Sequence, residues 1–174
     1  MSGLAPQIDA GQPGEAPGPE LAQGRLPAEL PVGNVSKLLR FLPGFAWQGV
    51  PLEPYKKDSQ TWRGMSRREL IGKRGESPRF HLRYFEVEPG GYSTLEKHLH
   101  EHVVVVLRGR GEVQIGCRLY PVGWGDVVYV CPDDPHQFRC PPDQPEPFGF
   151  LCLVNAERDR PEPLDGLGVC EVCL

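Results

Sequence analysis

The stretch Pro89–Gly111, PGGYSTLEKHLHEHVVVVLRGRG, decides the fold of this chain. Four potential metal ligands occupy alternate positions within it, namely Glu96, His98, His100 and His102. Successive side chains of a β-strand point to opposite faces, so this spacing predicts all four on one face of a strand. Solvated strand faces favour Lys, Glu and Thr over three histidines. The stretch therefore indicates a metal site rather than a solvated face.

A second stretch, Gly125–Cys140 (GDVVYVCPDDPHQFRC), places His136 after a β-branched strand and a Pro-rich turn. A lone histidine after a turn is most often structural. Beside the first stretch that interpretation changes, because a metal fixed inside a barrel requires a ligand from a second strand. The sequence thus predicts His136 as a further ligand.

The two stretches together resemble the paired motifs of the cupin superfamily. Six positions match the first motif without a gap: Pro89, Gly90, Gly91, Leu107, Gly109 and Gly111. The resemblance implies that His98 and His102 are ligands. Glu96 stands where a first histidine is usual, and His100 is an additional histidine. Two ligand sets therefore stay open, with either Glu96 or His100 joining His98, His102 and His136; carboxylate and imidazole both suit Mn, Fe, Ni or Zn.

The resemblance implies an all-β, single-domain cupin, a double-stranded β-helix or jelly-roll barrel, with an irregular N-terminal arm. Short strands separated by Gly, Pro or Asp turns indicate a sandwich or barrel. Residues 1–30 form a Pro- and Gly-rich tail, 31–78 an arm with short helical turns at 35–41 and 66–70, 79–160 the barrel, and 161–174 a tail with a CxxC. The segment ERDRPEPLDGLG lacks periodicity, which predicts a surface position.

A closer resemblance covers the segments RYFEVEPGGYSTLEKHLHEH, HQFRC and FGFLCLVNAERDRP. They resemble a cupin subgroup that includes the 1-methylthio-D-xylulose 5-phosphate methylsulfurylase family. The resemblance implies a divalent metal, with Mn expected and Fe, Ni or Zn as alternatives. It also implies a catalytic cysteine at Cys152 and a thiol co-substrate such as glutathione. Cys131 and Cys140 depart from the subgroup pattern, which leaves a thiol-rich or differently metallated variant open.

Removal of a methylthio group from a ketose phosphate requires a Lewis acid, a soft nucleophile and a proton donor. Cys152 is the expected nucleophile and His100 the expected proton donor. Arg83 is a candidate phosphate anchor, and Tyr92 and Gln137 are further candidate substrate contacts. The alternative for Cys152 is a buried core cysteine, and for Arg83 a surface ion pair. Alternative functions are a metal-dependent dioxygenase, a sugar-phosphate isomerase, and a non-catalytic cupin that binds a metal or small ligand.

Composition limits the partners of the chain. Its 174 residues carry a net charge of −4 with a pI near 5.7, which argues against a nucleic-acid or membrane surface. No apolar run is long enough to span a membrane, and the N-terminus lacks a basic region followed by an apolar core, so we expect a cytoplasmic protein. By analogy with other cupins we expect a homodimer acting on a small phosphorylated molecule.

Six cysteines are many for a chain expected in a reducing compartment. They lie at positions 117, 131, 140, 152, 170 and 173, without the spacing of a disulfide framework, which predicts free thiols. Cys140 is a candidate for resolving a disulfide formed at Cys152. Cys170 and Cys173 are interpreted as part of a frayed tail, with a redox pair or accessory metal clip as the alternatives.

Overall fold

A computed structural model describes residues 30–57 and 60–166 of the chain. This part contains thirteen β-strands and no helix. The strands are β1 (Phe41–Leu42), β2 (Ala46–Trp47), β3 (Glu53–Pro54), β4 (Arg63–Ile71), β5 (Phe80–Tyr92), β6 (Glu96–Lys97), β7 (His102–Arg108), β8 (Arg110–Ile115), β9 (Arg118–Gly123), β10 (Val127–Val130), β11 (His136–Arg139), β12 (Phe148–Asn155) and β13 (Glu162–Pro163). The all-β prediction is confirmed.

The strands pair antiparallel in one curled sheet, apart from the small β1–β2 hairpin. The sheet follows the order β10-β7-β12-β5-β11-β6-β13. Strand β4 adds to β5 and carries β3, while β8 adds to β11 and carries β9. The long strand β5 holds the two halves together, since it pairs with β4 and β12 along most of its length and with β11 at Tyr92. This curl makes the sheet a half-barrel, in agreement with the predicted cupin barrel.

The glycines of the first motif permit the tight connection between β7 and β8. Gly109 has a positive φ of 60°, a backbone conformation that favours glycine. A Cβ on Gly111 would overlap the ring of Phe148, which is fully buried. The ring therefore packs directly on the backbone of β8, and this close approach brings β12 against the barrel interior.

The interior combines an apolar half with a polar end. Buried side chains of β5, β7, β8, β10, β11 and β12 form one cluster that includes Phe85, Val104, Phe138 and Phe150. Cys152 belongs to the same cluster and is 2% exposed. The histidines of the first motif are also buried, although histidine is rarely so enclosed without a partner. The buried histidines therefore make the polar end of the barrel the candidate functional site.

Both predicted helical turns are wrong. The segment 66–70 lies within β4, where Met65 and Leu70 are buried and the backbone pairs with β5. The segment 35–41 forms no helix, and its Val35 and Leu38 are more than half exposed. A short helix gains most of its stability by burying an apolar face, which this segment does not do. The sheet thus begins before the predicted boundary at residue 79.

The predicted continuous strand through the four-ligand motif is also wrong. It is interrupted between β6 and β7, and the chain bends at Leu99 and His100. The cause is Asp159, whose carboxylate accepts hydrogen bonds from the backbone N–H groups of both residues, at 2.8 and 3.1 Å. A bend replaces the strand because a distant side chain satisfies these donors in place of a neighbouring strand.

Some sequence-based expectations fall outside the described residues, among them the tail at 1–29 and the Cys170–Cys173 pair. The four described cysteines are free thiols, as predicted: Cys117, Cys131, Cys140 and Cys152. A search of the described residues found no helix long and apolar enough to cross a membrane.

Candidate metal centre

Three histidines from separate segments converge at the polar end of the barrel. His98 follows β6, His102 begins β7 and His136 begins β11. One ring nitrogen from each lies within 4.8 Å of the others, and all three side chains are buried. Strand β11 carries His136 to this point because its backbone pairs with Glu96 of β6. The predicted convergence of ligands from two motifs is thus present.

The hydrogen bonds of the three rings leave nitrogens available for a metal. His98 Nδ1 lies 2.6 Å from the carbonyl oxygen of His100, and His136 Nδ1 lies 2.9 Å from that of Asp134. A carbonyl accepts only, so Nδ1 carries the proton in each ring and Nε2 keeps its lone pair. The Nε2 atoms of His98 and His102 are buried and have no hydrogen-bond partner. Such orphaned acceptors fit a bound cation, and backbone contacts of this kind orient metal-ligating histidines.

The electrostatic setting keeps these rings neutral. Burial, with His136 as the next cause, lowers the pKa of His98 to about 4. Burial likewise lowers the pKa of His102 and of His136. A metal ligand must be a neutral imidazole, so the cluster is ready to bind a divalent cation at neutral pH.

Glu96, one candidate for a fourth ligand, is buried beside the cluster but has other partners. Its carboxylate accepts a hydrogen bond from Tyr55 Oη at 3.3 Å and forms an ion pair with Lys56 Nζ at 2.5 Å. Both partners come from the segment after β3, which the sequence analysis assigned only to the N-terminal arm. These contacts hold Glu96 in place while engaging both of its oxygens.

His100, the other candidate, is stacked on His98 with ring centroids 3.6 Å apart. Its Nδ1 lies 2.6 Å from an Asp159 carboxylate oxygen. The hydrogen bond from the Leu99 backbone N–H is the main cause that lowers the pKa of Asp159, and hydrogen bonds from His100 act in the same direction. The carboxylate is therefore charged at neutral pH. A charged acceptor fixes the proton of His100 on Nδ1 and leaves Nε2 as its free ring nitrogen. The group of mutually close ligand atoms comprises His98, His102 and His136, and His100 borders it through its stacking on His98.

Cys152 lies next to the histidine cluster. Its Sγ atom is 3.7 Å from His102 Nδ1 and 3.4 Å from Arg83 Nη2. Strand β12 lies between β5 and β7, and this places Cys152 opposite Arg83 on one side and Val104 on the other. Burial raises the pKa of the Cys152 thiol, while the Arg83 cation acts in the opposite direction. The cysteine is buried, as the core alternative required, but it also lines a cavity of about 240 Å³ together with the histidines.

The fold and the site match a known family. The cupin domain family matches residues 83–153, a span that contains both motifs and Cys152. A 1-methylthio-D-xylulose 5-phosphate methylsulfurylase from Rhodospirillum rubrum is 45% identical over 123 residues, covering 70% of this chain and 76% of that protein. This chain is a cupin.

Solved structures agree with this assignment. A cupin-2 domain from Rhodospirillum rubrum is 45% identical, with a TM-score of 0.63, and the match covers 70% of this cupin and 79% of that chain. A cupin 2 conserved barrel domain protein from Rhodopseudomonas palustris is 41% identical, with a TM-score of 0.64 and coverages of 71% and 83%. The barrel topology is therefore shared with close relatives.

Of the three predicted substrate contacts of the cupin, only Arg83 lines the cavity with the histidines. Arg83 lines the cavity beside Cys152, so it is not only part of a surface ion pair, which was the alternative. Tyr92 lies at the far end of β5, under the guanidinium of Arg63. Gln137 donates to the Ser93 carbonyl and accepts from Arg139, and it does not line the cavity. Neither Tyr92 nor Gln137 therefore lines the cavity that contains the histidines.

Sequence reasoning missed several side chains that line the cavity. They come from segments outside the two motifs: Tyr55, Lys56, Arg67, Arg158 and Asp159. The expectation that the segment beginning at Glu157 lies only on the surface is wrong for Asp159, which reaches back to the bend at His100. The charged run ERDR directly after a buried strand was the available signal, since charges there can reach a neighbouring cavity.

Proposed function

We propose that this cupin is a metal-dependent methylsulfurylase, which transfers the methylthio group of 1-methylthio-D-xylulose 5-phosphate to a thiol and releases 1-deoxy-D-xylulose 5-phosphate. The observation that carries the proposal is the position of Cys152 Sγ, 3.7 Å from His102 in the cavity that the three histidines line. The 45% identity to a protein of that name supports the choice of substrate.

The three histidines would hold a divalent metal, with Mn as the first candidate and Fe, Ni or Zn as alternatives. When bound, the metal supplies a Lewis acid that stabilises negative charge on the ketone of the substrate. His98 and His136 keep their Nε2 lone pairs directed away from their backbone contacts. The chain thus provides the ligands in a fixed tautomer before any substrate enters.

Cys152 performs the bond exchange. Its thiolate attacks the thioether sulfur, an S–S bond forms, and the bond between this sulfur and carbon 1 breaks. The electron pair of that bond passes to carbon 1 and is delocalised onto the adjacent carbonyl. Carbon 1 then takes up the proton that the Cys152 thiol lost on forming the thiolate, so the sugar gains hydrogen and loses the methylthio group. Cys152 is left as a mixed disulfide with methanethiol, and the electron count balances.

Burial favours the neutral thiol of Cys152, and two hydrogen-bond donors act in the opposite direction by stabilising the thiolate. Arg83 Nη2 donates towards Sγ from one side. If His102 binds the metal through its orphaned Nε2, its Nδ1 carries a proton and donates towards Sγ from the other side. Charge-assisted hydrogen bonds of this kind are among the stronger ones, so they offset part of the desolvation of the sulfur.

His100 is the side chain that we assign to proton delivery at carbon 1. Asp159 holds its Nδ1, which leaves Nε2 on the cavity side of the ring. The ring is buried, and its stacking on His98 fixes the plane in which Nε2 can act. In this assignment His100 Nε2 accepts the proton that the Cys152 thiol loses and delivers it to carbon 1 of the sugar.

An external thiol completes the cycle by attacking the mixed disulfide, releasing a methyl disulfide and restoring the Cys152 thiol. Glutathione is the first candidate. The internal relay through Cys140 is not supported, because Cys140 pairs with Gly91 at the opposite end of β5 from Arg83. Cys140 also does not line the cavity that contains Cys152.

The test is turnover by purified, metal-analysed protein. Incubation with 1-methylthio-D-xylulose 5-phosphate and glutathione should yield 1-deoxy-D-xylulose 5-phosphate and the methyl disulfide of glutathione in equal amounts. With limiting thiol, intact-protein mass spectrometry should detect the methylthio adduct on Cys152. Metal-loaded protein that binds the sugar but never forms either product would instead identify a non-catalytic cupin.

A further inference from the structure

One wall of the cavity carries three guanidinium groups. Arg67 lies on β4, Arg83 on the neighbouring strand β5, and Arg158 shortly after β12. Arg83 and Glu69 are cross-strand partners, and Glu69 also lies 3.5 Å from Arg67 Nε. Arg158 is exposed as a residue but lines the same cavity as Arg83, and partial burial, followed by the charge of Arg83, lowers its pKa.

The charges at this wall do not balance. Among the described residues that line the cavity, four side chains are cationic when histidine is neutral, and two are carboxylates: Lys56, Arg67, Arg83 and Arg158 against Glu96 and Asp159. Glu96 pairs with Lys56, and Asp159 accepts hydrogen bonds from the bend at His100. Glu69, which does not line the cavity, forms an ion pair with Arg67 and reduces the net positive charge of the wall without cancelling it. Glu53 forms ion pairs with both Arg67 and Lys73.

The donors of the wall are not fully used. The Nε atom of Arg83 is buried and makes no hydrogen bond, whereas Arg67 has Glu69 and Glu53 only at ion-pair distances of 3.5 Å. An unpaired buried donor costs free energy, and like charges held together cost more, unless an anion enters. Guanidinium groups match the geometry of phosphate oxygens, which accept two parallel hydrogen bonds from one fork.

We infer that Arg67, Arg83 and Arg158 form the binding site for the phosphate monoester of the substrate. The inference deepens the proposed function and rests on it for the identity of the sugar. Cys152 Sγ lies 3.4 Å from Arg83 Nη2 and 3.7 Å from His102 Nδ1, so the sulfur borders both a guanidinium group and the imidazole cluster. A five-carbon ketose therefore binds with its phosphate against the arginines, its carbonyl towards the histidines and its thioether beside Cys152.

Binding of the product separates this inference from turnover. Metal-loaded protein is titrated calorimetrically with 1-deoxy-D-xylulose 5-phosphate and with unphosphorylated 1-deoxy-D-xylulose. The phosphorylated sugar should bind at least about tenfold more tightly, on the scale of one charge-assisted hydrogen bond. Arg158→Gln and Arg67→Gln should each lower that ratio by about tenfold, with little change in affinity for the unphosphorylated sugar.

Arg110→Gln is the matched control, because Arg110 is exposed and lines a different groove. Arg67→Lys keeps the charge but loses the fork, and it should give an intermediate ratio if Arg67→Gln folds poorly. Equal affinity of the wild-type protein for both sugars would overturn the inference, as would an unchanged ratio in both glutamine variants.

A further probe keeps the two proposals distinguishable. If the methylthio substrate is not converted, but glycerol 3-phosphate binds and loses affinity in Arg67→Gln, the anion site stands and the proposed reaction fails. If the substrate is converted but the arginine substitutions leave the ratio of affinities for the phosphorylated and unphosphorylated sugars unchanged, the proposed reaction stands and the proposed phosphate site is wrong.

Discussion

Arg83 Nη2 lies 3.4 Å from Cys152 Sγ, and the two residues are direct cross-strand partners on β5 and β12. Cross-strand partners share a face of the sheet, so the pairing register alone brings a cation and a thiol together inside the barrel. Arg83 also lies over the ring of Phe85, 5.1 Å from its centroid. The guanidinium is thereby fixed in position and is not a mobile surface charge.

Removal of the Cys152 sulfur should abolish the reaction without unfolding the barrel. We expect Cys152→Ser to lose turnover on the order of 10³-fold or more, as loss of a nucleophile does in other enzymes. Metal content and thermal midpoint should stay close to the wild-type values. Cys140→Ser is the control, since Cys140 is also buried but lies away from the cavity. Retained turnover in Cys152→Ser would contradict the assignment.

Loss of the Arg83 charge should weaken the bond exchange as well as binding. The expected fall in single-turnover rate at saturating substrate is about 10- to 100-fold for Arg83→Gln, the scale of one hydrogen bond to a charged sulfur. Arg83→Lys should recover part of the rate, because the cation remains while the fork is lost. Adduct formation on Cys152, followed by rapid quench and mass spectrometry, gives the measurement. Equal rates in Arg83→Gln and wild type would exclude this role.

Metal analysis distinguishes the two ligand sets that the sequence left open. His98→Ala and His136→Ala should lower metal affinity by more than about 100-fold, since each removes a ligand from the cluster. Glu96→Gln and His100→Gln should each lower it by less than about tenfold, because Lys56 and Asp159 already engage these side chains. A loss in Glu96→Gln as large as that in His98→Ala would instead make Glu96 a ligand.

Acid stability of the fold should depend on a buried ion pair far from the cavity. Burial would raise the pKa of Glu76, but hydrogen bonds from Lys37 Nζ at 2.9 Å and from the Arg74 backbone outweigh it and lower the pKa to about 2. The stabilisation of the fold by the charged Glu76 carboxylate is fully present above the ordinary pKa of 4.5, and it is lost as the pH falls from 4.5 towards 2.

Urea unfolding of metal-free wild type and Glu76→Gln measures this contribution. The wild type should be more stable at pH 6, by on the order of 2–3 kcal/mol, and the difference should vanish near pH 2. Comparison of the two proteins removes the contribution of the buried histidines, which both contain. A difference that stays constant across this range would show that the pair does not stabilise the fold.

The sequence by itself determined the barrel and the convergence of three candidate ligands. The glycines around β7 and β8, the alternating motif and the second motif predicted an all-β cupin in which His98, His102 and His136 meet. These features are local, since spacing sets the face of a residue and glycine sets a turn. The GFLC segment likewise indicated Cys152, although only through a resemblance and not through any pattern in the strand itself.

Tertiary structure decided everything that depends on segments distant in the chain. Asp159 breaks the predicted strand at His100, and Lys56 engages Glu96, across separations that no local pattern encodes. The register of β4 on β5 adds Arg67 to the cavity, and the register of β12 on β5 sets Arg83 beside Cys152. A shift of one residue in either register would turn these side chains outward, so the site exists only because the sheet is paired as it is.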